Sequence, residues 1–305
     1  MPRLRPEFTE TPFFLYAKSP ITGAVEDTPS GSGFAVQVAS ETLPLSKHCY
    51  AVSCKHVVSG SAASIIGLAH ADGSPAFPEY EPTDWTFSKD DDLAVIDITD
   101  DIEAWSQPTA ICVAQSDLLL DSQFIERCNV GIGDEVVMLG LFPDHPSEPV
   151  ARFGSLAAMA SDEHPLRLHK HDKPRPAFMA DMRSRAGFSG SIVVVYRTPT
   201  TNLRNISSDS GFTYTSQNNA FFRILGVHRG QFWETITARA TEATPRKAFA
   251  DGDKIDIASS MTYIVPAWRI AEMLESEQFR KRRAQRDEEP ARIKRYARTS
   301  GEEGA

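Results

Sequence analysis

From about residue 12 to residue 265, apolar residues come in strand-length runs broken by clusters of Gly, Pro, Ser and Asp. That rhythm predicts strands, because a half-buried strand alternates with period two and turn residues punctuate each end. Candidate strands fall at residues 13–16, 33–38, 50–54, 64–68, 93–98 and 110–113. A second set follows at residues 135–140, 152–159, 177–182, 191–196, 221–228 and 261–265. Many short strands separated by turn signals are the pattern of a barrel or a sandwich. Residues 117–129 lack a strand period, which places a junction there between an N-terminal unit, 1–116, and a second unit, 117–265. No internal repeat is visible in the chain.

Helical spacing is clear once. Pro266 precedes Trp268, Ile270, Ala271, Leu274 and Phe279, an apolar stripe that predicts a helix over 266–284. Beyond it, residues 285–305 turn to charged residues and Gly, and a disordered tail is expected. Residues 160–176, rich in His, Pro and Lys, and 199–219, rich in Ser, Thr and Asn, are predicted as surface loops.

Charge changes this picture in one respect. The formal net charge is −9, yet residues 280–298 hold nine Lys and Arg against three Asp and Glu. The body is therefore more acidic than the total, which disfavours a nucleic-acid surface. The run Arg280-Lys281-Arg282-Arg283 is expected to be a solvated tail, with a docking element as the alternative. No apolar run reaches the ~20 residues of a spanning helix, so no membrane association is expected. The basic residues near Met1 have no apolar stretch behind them, and a cytoplasmic location is predicted. Cys49, Cys54, Cys112 and Cys128 have no C-x-x-C spacing, so neither a zinc site nor a disulfide scaffold is indicated.

Candidate chemistry centres on Gly187-Phe188-Ser189-Gly190-Ser191, where small residues let the backbone curl around a serine and present N–H groups beside its hydroxyl. The segment leads into the apolar run Ile192-Val193-Val194-Val195-Tyr196. An α/β-hydrolase elbow would instead open into a helix and carry Gly where Ser191 stands. His56 ends an apolar run that starts at Tyr50, and Asp92 begins another, with Asp91 as its rival. The chain order is His, Asp, Ser, an order in which a hydroxyl, an imidazole and a carboxylate perform acyl transfer. Singly, each is an ordinary turn or strand-end residue. Their order, spacing and strand context point jointly to a triad of His56, Asp92 and Ser189. Cys54, two positions before His56, is read as a small buried hydrophobe and not as a nucleophile.

On these residues the chain resembles the trypsin-like peptidases, nearer to the bacterial HtrA-type and related branches than to digestive trypsins. The landmarks are Gly31-Ser32-Gly33-Phe34, His56-Val57-Val58, Asp92-Leu93-Ala94-Val95, Gly133-Asp134-Glu135-Val136 through Gly140, and the Ser189 loop. The resemblance implies an all-β, chymotrypsin-like fold of two six-stranded antiparallel barrels with a C-terminal helix. It implies a serine endopeptidase acting on a protein or peptide, with the N–H groups of Gly187 and Ser189 as the oxyanion hole and no cofactor or metal. Two departures stand out. Cys54 and Lys55 replace small residues before the histidine, and Phe188 stands where the family has Asp or Asn. Phe188 cannot form the ion pair of zymogen activation. The departures keep open a second reading, a pseudoprotease that uses the same barrels as a binding or sensing module.

His164, His169 and His171 match no standard ligand spacing and are expected in a solvated loop. His228, in Gly226-Val227-His228-Arg229-Gly230, resembles the histidine that hydrogen-bonds a substrate Glu or Gln in glutamyl endopeptidases and picornaviral main proteases. The resemblance implies that His228 donates to that side chain and that Arg229 strengthens the preference for an acidic group. A strand histidine with a structural partner is the alternative. An oligomeric state is not encoded in these motifs.

Overall fold

The computed structural model describes residues 11–43, 46–69, 75–104, 114–142, 145–198, 220–237 and 252–289. The first half folds as a sheet of eight strands: β1 (Pro12–Tyr16), β2 (Gly31–Ala39), β3 (Lys47–Ser53), β4 (Ile65–Ala69), β5 (Pro75–Ala76), β6 (Thr86–Phe87), β7 (Ala94–Asp97) and β8 (Ala114–Gln115). Their order is β5-β4-β1-β2-β3-β7-β6, with β8 paired in parallel to β2. The second half closes into a six-stranded barrel of β9 (Glu135–Phe142), β10 (His145–Ala158), β11 (Phe178–Asp181), β12 (Ile192–Arg197), β13 (Phe221–Thr237) and β14 (Lys254–Pro266). This all-β pair of units with a helical C-terminus is consistent with a chymotrypsin-like two-barrel fold. The second unit is the six-stranded barrel expected, while the described part of the first is an eight-stranded sheet because the two-residue strands β5 and β6 extend its two edges and β8 adds to β2. The candidate strand at 110–113 and the loop at 199–219 lie outside the described residues.

Every residue of β12 is buried, which explains its unbroken Ile-Val-Val-Val-Tyr run: β9 flanks it on one edge, β13 on the other, and both faces pack. One continuous apolar core joins both units and includes Phe34, Tyr50 and Val57 with Phe178, Phe188 and Ile224. Burying side chains of that size is worth about 1.5–3 kcal/mol each.

Short helices punctuate the strands: α1 (Thr99–Ala104), α2 (Ser122–Cys128), α3 (Ala267–Leu274) and α4 (Glu277–Asp287). The predicted junction holds α2, which Asp121 caps by accepting from the Phe124 N–H, and which Asn129 ends in the left-handed conformation. The single helix expected over 266–284 is two, because α3 ends at Leu274 and the extended backbone of Ser276, at the N-cap position, starts a new one.

Of the run at 280–283, Arg280, Lys281 and Arg282 are exposed as expected and Arg283 is buried, while the helix continues through residue 287, where a disordered tail was expected from 285. Phe279 packs edge-on against Tyr50, with centroids 5.4 Å apart. Arg283 is buried and donates to the Leu274 carbonyl at 2.6 Å. Asp287, also buried, accepts from Ser40 Oγ at 2.6 Å and Thr42 Oγ1 at 3.2 Å and lies 3.1 Å from Nε2 of the fully buried His48. Helix α4 is thus a brace across the N-terminal sheet. No described helix is long and apolar enough to cross a membrane.

Candidate active site

His56 opens a one-turn π-helix, His56–Gly60, directly after β3, and Asp92 ends the turn that leads into β7. Pairing of β3 with β7, with Ser53 opposite Ala94, brings the two together. Asp92 Oδ1 accepts from the His56 backbone N–H at 2.9 Å, and Oδ2 lies 2.6 Å from the ring Nδ1. A carboxylate cannot donate, so Nδ1 carries the proton and the ring's Nε2 lone pair is free for another group. Burial pushes the Asp92 carboxyl up, but the His56 contacts and the Arg229 charge outweigh it and hold Asp92 below the usual carboxylate range. Asp91, the rival, pairs instead with Arg269 at 3.4 Å.

Ser189 sits on a turn with left-handed glycines on either side, Gly187 at φ 94° and Gly190 at φ 88°. Strand β2 fixes that turn. Ser32 N–H donates to the Ser189 carbonyl at 2.8 Å, and Ser32 Oγ donates to the Gly187 carbonyl at 2.9 Å. The Gly190 N–H donates to the His228 carbonyl at 2.9 Å, which ties the turn to β13. With both carbonyls drawn toward Ser32, the Gly187 and Ser189 N–H groups donate to no acceptor among the described residues. Ser32 was recognised only as part of a strand landmark. Gly187, which its hydroxyl holds, lies 155 positions away, so no local signal marked its role.

The two sequence departures find physical reasons. Phe188 is fully buried, so apolar burial anchors the loop where an ion pair would otherwise do so. The Lys55 ammonium lies over the Phe87 ring, 5.7 Å from its centroid. Cys54 is fully buried, its thiol donates to the His228 carbonyl at 3.2 Å, and burial first of all pushes it well above the ordinary thiol range. Ligand atoms of Cys54, His56 and Asp92 lie within 4.8 Å of one another. The Cys54 thiol already donates to the His228 carbonyl, and the Asp92 carboxylate is already shared between His56 and Arg229.

A cleft of about 420 Å³ is lined by His56, Asp92, Ser189, His228 and Arg229 together with His169 of the 160–176 loop. All five residues picked out for catalysis or specificity therefore share one opening, and Gly187 lies in the turn beside it. His164 and His171 are exposed on the same loop. The hydroxyl of Ser189 donates to the Arg229 carbonyl at 3.3 Å and not to the imidazole.

Both specificity residues differ in detail from expectation. His228 Nδ1 lies 3.0 Å from the Phe188 carbonyl, an acceptor, so Nδ1 bears the proton and Nε2 is a lone pair, not a donor. Nε2 is buried and has no hydrogen-bond partner among the described residues. Burial lowers the His228 pKa to about 4, so the ring is neutral near pH 7. Arg229 is not free for a substrate carboxylate: its Nε lies 3.0 Å from Asp92 Oδ2 and a terminal nitrogen lies 2.9 Å from Asp172 Oδ2.

No protein-family model matches the chain, and no curated protein matches it. Among solved structures it is similar to the crystal structure of Deg5, at 16% identity and a TM-score of 0.39, over 73% of this chain and 80% of that one.

Proposed function

We propose that the chain is a serine endopeptidase that works through an acyl-enzyme on Ser189. The observation that carries this reading is the 2.6 Å contact of His56 Nδ1 with the half-buried carboxylate of Asp92, opening onto the cleft that Ser189 lines. With Nδ1–H committed to Asp92, Nε2 is the base. Ser189 Oγ leaves the Arg229 carbonyl, gives its proton to Nε2 and bonds to the substrate carbonyl carbon. The Gly187 and Ser189 N–H groups receive the oxyanion. The C–N bond breaks as imidazolium returns the proton to the leaving amine, and water repeats the sequence on the ester.

The cleft's side-chain preference follows from the tautomer of His228. A buried, neutral acceptor favours a donor, so glutamine is preferred to ionised glutamate before the scissile bond, and glutamate gains only when its carboxyl is protonated. A second reading, a binding module on the same scaffold, is favoured by the bond from Ser189 Oγ to the Arg229 carbonyl in place of the imidazole. Mass-spectrometric profiling of a peptide library decides between them. Ser189-dependent cleavage after Gln, flattened by His228→Ala, supports the peptidase. Absence of any cleavage that Ser189→Ala removes would leave the binding module.

A further inference from the structure

Asp90, Asp91 and Asp92 are consecutive, and each is paired with an arginine from a different part of the fold. Arg175 of the 160–176 loop reaches Asp90 at 2.6 Å, Arg269 of α3 reaches Asp91 at 3.4 Å, and Arg229 of β13 reaches Asp92 at 3.0 Å. The third pair touches the proposed catalytic carboxylate itself. Asp92 Oδ2 is shared between the His56 ring and the Arg229 Nε, and the other arm of Arg229 is held by Asp172 from the loop. The guanidinium also lies over the Tyr263 ring, 5.3 Å from its centroid. Asp172 is fixed in turn, its side chain accepting from the His169 N–H at 3.1 Å and its own N–H donating to the His169 carbonyl at 3.0 Å. A planar, always-charged fork suits this bridge, because it can bond two carboxylates at once in fixed geometry.

We propose that Arg229 is a positioning residue for the catalytic dyad, and that Asp172 sets its strength by drawing part of its charge toward the 160–176 loop. The inference rests on the peptidase reading. Arg229 holds Asp92 in the orientation that receives the His56 Nδ1–H, but its positive charge also offsets the carboxylate that stabilises imidazolium. Asp172 counters that offset. The charges facing the imidazole from this cluster are Asp92, Arg229 and Asp172, with Tyr263 against Arg229, Lys55 beside His56, the neutral His228 of β13, Lys89, His169, His171, Lys173 and Arg185 along the cleft, and the Asp90–Arg175 and Asp91–Arg269 pairs behind them.

Removing the two outer charges therefore has opposite consequences. Arg229→Met leaves two uncompensated carboxylates near His56, which favours imidazolium and moves the acid limb of the pH–rate profile to higher pH. Asp172→Asn leaves the arginine unopposed and moves the limb to lower pH. The rate constant for labelling of Ser189 by a fluorophosphonate probe, followed from about pH 5 to about pH 9, reads this directly. Arg229→Met should also lower the plateau rate by roughly tenfold to a hundredfold through loss of orientation, and Arg229→Lys should recover the wild-type limb more fully than the plateau. Opposite shifts support the inference, because a merely structural residue would lower the plateau without moving the limb. If the wild type labels on Ser189 and both variants keep its limb, the positioning role is overturned while the peptidase reading stands. If the wild type does not label on Ser189, both fall. Should Arg229→Met fail to fold, the half-buried Asp172→Asn decides alone: a limb moved to lower pH supports the inference, and an unmoved one overturns it.

Discussion

Replacing Gly190 with alanine probes the scaffold that carries the nucleophile. Gly190 holds φ +88°, where a Cβ meets the backbone, and alanine there costs roughly 1–2 kcal/mol. The added Cβ also falls well inside contact distance of the Ser32 carbonyl oxygen and the Ser53 hydroxyl, and 2.9 Å from the Ser32 carbonyl carbon. These atoms cannot simply yield, because Ser53 Oγ donates to the Ser32 carbonyl at 2.7 Å and Ser32 N–H donates to Ser189 at 2.8 Å. Overpacking against such a site costs about 1–3 kcal/mol, for a combined loss of about 2–5 kcal/mol. Scanning calorimetry should show Tm lower by on the order of 5–10 °C, or a preserved Tm with a displaced turn and no probe labelling. Gly131→Ala is the control, since a Cβ there has no atom within 4 Å and no positive φ to strain. It should stay within about 0.5 kcal/mol of wild type. A Gly190→Ala protein with wild-type Tm and labelling rate would refute the claim that β2 fixes the Ser189 turn.

Asp92→Asn should lower peptide turnover by on the order of ten-thousandfold while the chain stays folded, because an amide favours the wrong imidazole tautomer; steady-state kinetics beside circular dichroism checks this. Stability should fall on acidification: folded His228, with a pKa of about 4 against an ordinary 6.5, stays neutral while the unfolded chain takes up the proton. Its contribution is complete above about pH 6.5 and disappears as pH falls through 4, a loss of about 3 kcal/mol that urea titrations at the two ends should resolve and His228→Gln should remove. Asp92, also depressed, acts in the same direction. Asp287→Ala should destabilise by about 1–3 kcal/mol, because it removes the acceptor of the Ser40 and Thr42 hydroxyls and the carboxylate beside buried His48; a chemical-denaturation shift near zero would show that α4 is no brace.

Local pattern made the strands legible. Residues 192–196 and 135–140 announce themselves by composition, and the turn residues between strands mark their ends. The order of His56, Asp92 and Ser189 was readable for the same reason, since each stands at the boundary of such a run. What escaped was long-range. Nothing near Ser32 shows that it will hold the Gly187 carbonyl, and nothing near Arg286 shows that it will pair with Asp97 and Asp100, 189 and 186 positions away. Arginine-rich segments are usually solvated, so the 280–283 run and the residues from 285 read as solvent-exposed until the partners of Arg283, Arg286 and Asp287 were in place. The tautomer of His228 was illegible too, because only the position of the Phe188 carbonyl decides which ring nitrogen carries the proton.

Intact-mass and peptide mapping of the full chain after reaction with a fluorophosphonate tests the central claim most directly. One adduct is expected, on the peptide that contains Ser189, formed by wild type and absent from both Ser189→Ala and His56→Ala. An unmodified wild type, an adduct that persists in Ser189→Ala, or an adduct on another serine would contradict a nucleophile at Ser189 activated by His56.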